Sequence, residues 1–266
     1  MTQLANKTAV ILGAAKSGNM AQVIARRFAA DGAKVMVSGR NEEELASFAK
    51  TIDGSYAICD ITDHQQVAAL AEQAQKEFGA VDIAVNASGW GLAKPLIEVE
   101  DQELDQMVSV QLKGTHYFLA EFVKTMMANP SSGGSLINIS SATTSALINN
   151  YASYIATKAG SEALIRCVAN DYGQHGIRAN SISPALTKTP MTEGSFGVPG
   201  LVDTFVSRTP LGRLNTSEDV AAAAAWLASD QAFLTGENIQ VNGGLTLRGN
   251  PQAADIQAAI AAASAG

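Results

Sequence analysis

Basic runs are missing from this chain. It carries 18 Lys and Arg against 25 Asp and Glu, a formal charge of −7 with a pI near 5.0. A polyanion finds no basic face here, so no nucleic acid is expected as a partner. Cysteine is scarce. Cys59 and Cys167 stand far from any metal-ligand spacing, and each reads as a small packed hydrophobe. The three histidines, His64, His116 and His175, are scattered, so no metal site is expected. No apolar run is long enough to span a bilayer, and residues 1–6 show no signal-peptide pattern. A cytoplasmic protein without a membrane partner is the expectation.

What is present suits one buried core. The 266 residues are 47% hydrophobic and 16% charged. Short β-branched runs at 8–12, 35–38, 56–59, 81–85, 135–139, 178–182 and 238–241 alternate with amphipathic stretches. The helices are expected over 20–31, 42–50, 64–78, 101–127, 151–172 and 217–228. Such alternation implies a parallel sheet covered on both faces, in a single domain over residues 1–249. Residues 187–213, rich in Gly, Pro, Ser and Thr, break the rhythm and read as a substrate loop. The Ala-rich tail 250–266 reads as a frayed surface helix or disorder.

Tyr154 and Lys158 are four apart, the spacing that puts two side chains on one helix face. A free tyrosine ionises near pH 10, and a cation held close favours its phenolate. Tyr154 could then exchange a proton with a substrate oxygen that Ser141 also holds. Upstream, strand one ends at Gly13 and runs through Lys16, Ser17 and Gly18 to Met20, where a helix begins. Small residues at that junction let backbone amides approach a pyrophosphate. Where strand two ends, the acidic residue that would favour NAD is replaced by Gly39, with Arg40 next. Arg40 and Lys16 are candidate partners of a 2′-phosphate, which points to NADP(H).

These residues resemble the short-chain dehydrogenase/reductase family from 7 to 244. Asp60 sits where that family contacts adenine. Asn86-Ala87-Ser88-Gly89 is similar to its turn after strand four, and 180–185, with Pro184, to the segment that turns towards the nicotinamide. Thr187 and Thr189 follow at its carboxamide and phosphate positions. The resemblance implies a Rossmann-type, doubly wound parallel sheet of seven strands with helices on both faces. It implies hydride transfer between NADP(H) and a carbonyl or secondary alcohol. Tyr154 would be the general acid/base, Lys158 would lower its pKa and bind the ribose, and Ser141 would hold the substrate oxygen. A homotetramer is expected, or a dimer, through two helices whose apolar residues (Leu104, Val108, Phe118, Phe122; Ala163, Leu164, Cys167, Val168) would otherwise be exposed.

Three departures stand out. Gly13 and Gly18 are separated by four residues, a spacing similar to that of the bacterial enoyl-acyl carrier protein reductases. Gln111 replaces the catalytic Asn that usually holds a water linked to Lys. Tyr151, seven before Lys158, has the enoyl reductase spacing. A carbonyl reductase is the leading expectation, since enoyl reductases generally lack Ser141. An enoyl-thioester reductase using Tyr151 and a non-catalytic binding protein on the same fold are the alternatives. Tyr151 and Trp90 are the expected substrate walls. Phe196, Val198, Leu201, Phe205 and Val206 are read as an apolar lid.

Overall fold

The computed structural model describes residues 3–130 and 133–264. Its seven strands are β1 (Thr8–Leu12), β2 (Lys34–Gly39), β3 (Ser55–Ile58), β4 (Ile83–Asn86), β5 (Gly134–Ile139), β6 (Ile177–Pro184) and β7 (Asn238–Val241). They form one sheet in the order β3-β2-β1-β4-β5-β6-β7, and every pair is parallel. β1 shows why the strands read as continuous apolar runs. Ala9 and Ile11 face one core, and Val10 and Leu12 the other. Each such buried aliphatic side chain contributes about 1.5–3 kcal/mol.

One core lies under α1 (Met20–Ala30), α2 (Glu42–Lys50) and α9 (Ser217–Ala228). The other lies under α3 (His64–Phe78), α5 (Gly114–Met127) and α6 (Ala152–Tyr172). Local signals start these helices. Asn19, Asn41 and Asp63 cap α1, α2 and α3, and Thr216 with Asp219 forms a capping box on α9.

The helix expected over 101–127 is interrupted. α4 (Asp101–Val108) passes into a π-helical turn, Ser109–Lys113, before α5 resumes. Such turns recur at functional sites because they rotate one side chain out of the regular helical stripe. Here the rotated stretch carries Gln111. Phe118 and Phe122, expected at a subunit surface, are fully buried against the sheet, while Leu104 is 43% exposed. Cys59 is buried as expected, but Cys167 is exposed and does not pack inside.

The segment 187–213 is more regular than its composition suggests. It holds α7 (Glu193–Phe196) and α8 (Leu201–Arg208). After α10 (Leu245–Arg248), the tail forms α11 (Ala253–Ser264). α11 lies against α8, where a Cβ on Gly200 would come within 2.8 Å of the Ala259 carbonyl oxygen. Arg208 pairs with Asp255 at 2.9 Å. The tail is therefore a docked helix, and Gln252 and Ala253 tie it to Leu147 and Asn149.

Candidate functional site

β1 pairs with β2 on one side and β4 on the other, so the chain winds in opposite directions from this point. The crevice beyond the carboxyl ends of such strands is where open α/β sheets bind ligands. A cavity of about 630 Å³ opens there. Gly13, Lys16 and Met20 line it from the first loop, and Arg40 and Asp60 from the ends of β2 and β3. Trp90, Ser141, Tyr154, Lys158, Pro184, Thr187 and Thr189, also foreseen from sequence, line it too.

Close backbone approach shapes the dinucleotide end. Gly13 has φ +108°, and a Cβ there would stand 2.8 Å from the Ala87 carbonyl carbon. A Cβ added to Gly39 would meet the Ala15 Cβ at 2.5 Å. The two loops therefore form a cradle that any larger side chain would fill. Asn19 secures it. Its amide donates to the Gly13 carbonyl at 2.7 Å, and its Oδ1 accepts from the Gln22 amide at 3.0 Å. That residue was findable as a helix cap before an apolar helix. Arg40 lies 3.6 Å from Asp60. Burial pushes the Asp60 carboxyl up, but hydrogen bonds from Thr62 and the Arg40 charge outweigh it and hold it below its ordinary range. Lys16 reaches the Pro190 carbonyl at 3.4 Å.

At the other end, Ser141 follows β5 and caps a short turn, Ala142–Thr144. Its Oγ accepts from the Thr143 hydroxyl at 2.9 Å and faces the Tyr154 phenol. Lys158 is buried, and its Nζ donates to the Ile139 carbonyl at 2.7 Å. The expected lowering of the Tyr154 pKa by Lys158 is absent in this arrangement. Burial pushes the phenol up to about 12, opposed by the Ser141 hydroxyl. The ammonium sits 5.9 Å from the ring centroid, engaged with the carbonyl, and burial pulls it down to about 8 against the field of Glu162.

Five expected residues do not line this cavity. Ser17 is an exposed loop residue, and Gly18 lines a neighbouring cavity of about 300 Å³. Asn86 is buried. Its amide donates to Thr115 and Asn138, and its Oδ1 accepts from the Ser88 amide at 3.0 Å, so it shapes the turn from behind. Tyr151 packs its ring edge against Tyr154 at 5.9 Å, outside the lining. Gln111, 2% exposed, lies beneath. Its Nε2 donates to Thr157 at 3.1 Å and lies against the Met107 sulfur. Its Oε1 has no hydrogen-bond partner among the described residues. Of the expected lid residues, Leu201, Phe205 and Val198 pack with Leu245 in a separate small core, and Phe196 lines the neighbouring cavity. Met191 instead faces the cavity over Gly89 and Gly91, and Gln106 and Val110 line it from α4 and the π turn. Only tertiary packing brings these three to the site, and no motif announced them.

The family model described as "Enoyl-(Acyl carrier protein) reductase" matches residues 13–246. The chain belongs to the short-chain dehydrogenase/reductase family. It is 35% identical over 251 residues to "3beta-hydroxysteroid dehydrogenase 1" of Eggerthella lenta, covering 92% of this chain and 95% of that one. A solved short-chain type dehydrogenase/reductase from Mycobacterium ulcerans superposes with a TM-score of 0.89, at 28% identity over 94% of this chain and 93% of that one. A gluconate 5-dehydrogenase from Burkholderia cenocepacia, solved with NADP and tartrate, gives 0.87 at 28% identity, over 92% and 97%. The chain is thus a family oxidoreductase, and the family uses nicotinamide cofactors.

Proposed function

We propose that this protein reduces a ketone with NADPH, or oxidises the matching secondary alcohol in the reverse direction. The carrying observation is that the Ser141 and Tyr154 side chains face each other at the cavity wall with Lys158 buried beside them. The glycine cradle and the Lys16 and Arg40 cations fit a dinucleotide with a 2′-phosphate. A bound nicotinamide supplies the hydride. Ser141 accepts from Thr143 and turns its own proton towards Tyr154, where a substrate oxygen entering between the two hydroxyls takes it up. Tyr154 hands its proton to that oxygen as the carbonyl becomes an alcohol, assistance worth typically 10²–10⁴-fold. Lys158, buried beside Tyr154, would hold the cofactor ribose and lend positive charge. Exposed Leu96, Ile97 and Leu104 lie on and just before α4, a surface that suits the homotetramer, or dimer, we include in this proposal.

The matched family model and the phosphate-loop spacing favour one second reading, reduction of an enoyl thioester. Incubating the protein with NADPH and panels of ketones and enoyl thioesters separates them. Turnover of enoyl thioesters alone would reverse the assignment, and turnover of neither would leave a binding protein.

The titrations predict a pH profile. Tyr154 keeps its proton below about 12, so it remains an acid throughout the working range. Lys158 is charged below about 8 and loses its proton above. Reduction, measured as kcat/KM for NADPH, is therefore expected to be level near neutrality and to fall above pH 8. A decline beginning only near pH 10 would show that Lys158 does not set this limb.

Gln111 offers a second test. A Cβ placed on Gly89 would lie 3.7 Å from Lys158 Nζ and 3.8 Å from Gln111 Oε1, so both atoms border the same space. The unpartnered amide oxygen can hold a water there, as the usual Asn does. Gln111→Asn should keep or raise activity, and Gln111→Ala should lower it by more than about threefold. An Ala variant within that margin would make Gln111 a packing residue only.

A further inference from the structure

Tyr154, Lys158 and Glu162 recur every fourth residue along α6, one stripe of a helix facing the end of β5. They face three consecutive residues, and two of them grip theirs. Lys158 holds the Ile139 carbonyl, Glu162 takes the Ser140 hydroxyl, and Tyr154 faces Ser141. Glu162 is 9% exposed, an unusual place for a carboxylate. Its Oε1 also accepts from the Thr144 hydroxyl at 2.8 Å. The same hydroxyl lies 2.9 Å from the Ser141 carbonyl, so its single proton is shared between carboxylate and carbonyl. The carboxylate thus clamps the residue before Ser141 and the turn after it.

We propose that Glu162 is a positioning residue of the active site: it fixes the Ser141 turn through Ser140 and Thr144 and supplies the buried counter-charge of Lys158. The proposal rests on the carbonyl reductase reading above. A buried ammonium one helical turn from a buried carboxylate is held charged by it, even without contact, because water does not screen the pair. The groups facing this stretch of α6 are few. From β5 and its following turn come the Ser140, Ser141, Thr143 and Thr144 hydroxyls, and from the π turn the Gln111 amide. On α6 itself stand the phenols of Tyr151 and Tyr154. Glu162 is the carboxylate whose field opposes the desolvation of Lys158.

Glu162→Gln keeps an oxygen that both hydroxyls can reach and removes only the charge. The titration of Lys158 can be followed in the full-length protein by NMR of ¹³Cε-labelled lysine, with the Lys158 signal identified by its loss in Lys158→Arg. In Glu162→Gln its midpoint should fall by about half a pH unit or more. The alkaline limb of ketone reduction should move the same way. An unmoved midpoint in the folded variant would overturn the proposal. Thr144→Val covers the case of a Gln variant that does not fold. It keeps the charge and removes one contact to the turn. It should lower kcat at least about threefold, with NADPH affinity and the Lys158 midpoint unchanged; an unchanged kcat overturns the clamp. A wild type that turns over no ketone would defeat the carbonyl reductase reading, while the NMR titration would still decide the role of Glu162.

Discussion

Tyr154→Phe is expected to cut ketone reduction at least about 100-fold while leaving NADPH affinity nearly constant. The loss corresponds to about 2.7 kcal/mol of transition-state stabilisation. The substitution removes one oxygen and keeps the ring, so the edge-on packing with Tyr151 survives. Two tyrosines share this helix start, and their surroundings separate them. Tyr154 lines the cavity and faces Ser141, which Thr143 and the short turn hold in place. Tyr151 lies outside the lining, and burial alone raises its pKa. Tyr151→Phe should therefore change turnover far less than Tyr154→Phe. Single-turnover rates at saturating NADPH would check both variants. If Tyr151→Phe abolished turnover and Tyr154→Phe did not, the proton donor would be misassigned and enoyl reduction would take its place.

The parts of this molecule legible in the sequence are those governed by local chemistry. Alternating apolar runs gave the strands within a few residues, because a strand buried on both faces admits little else. Caps such as Asn19 and Thr216 stand before their helices in plain view. The Tyr154–Lys158 pair and the Gly13 turn depend on short spacings, and the structure brings both to one cavity. What stayed hidden depends on tertiary contact. Nothing in residues 101–127 marks a π turn, since its register is set by packing, including the close fit of Gly114 on Ile61. Asn86 looked like a lining residue but turns inward to Thr115 and Asn138. Leu201 and Phe205 looked like a lid because their partners, Leu245 and the tail residue Ile256, are far away in sequence. Glu162 belongs to no motif, and its burial between two hydroxyls comes from tertiary packing.

NADPH should be preferred over NADH by more than tenfold, and Arg40→Ala should remove most of that preference. The argument begins with Gly39. A side chain there would collide with Ala15, so the acidic residue that would bind a ribose hydroxyl has no room. Arg40 projects instead, its side chain 77% exposed at the cavity edge. In the structure its charge is shared with Asp60 at 3.6 Å, a loose pairing that a phosphate dianion can outcompete with shorter, charge-assisted bonds. One such contact contributes about 1.5–3 kcal/mol, which is roughly ten- to a hundredfold in affinity. Lys16, from the facing loop, adds a second cation, weaker because it is exposed and flexible. Because both groups face solvent, salt should shrink the preference as it screens them. Dissociation constants for the two cofactors, taken at low and high salt, test each step. Arg40→Ala should weaken NADPH binding about tenfold or more and leave NADH nearly unchanged. Equal or better use of NADH by the wild type would sink the cofactor assignment and leave Arg40 as a solvated partner of Asp60.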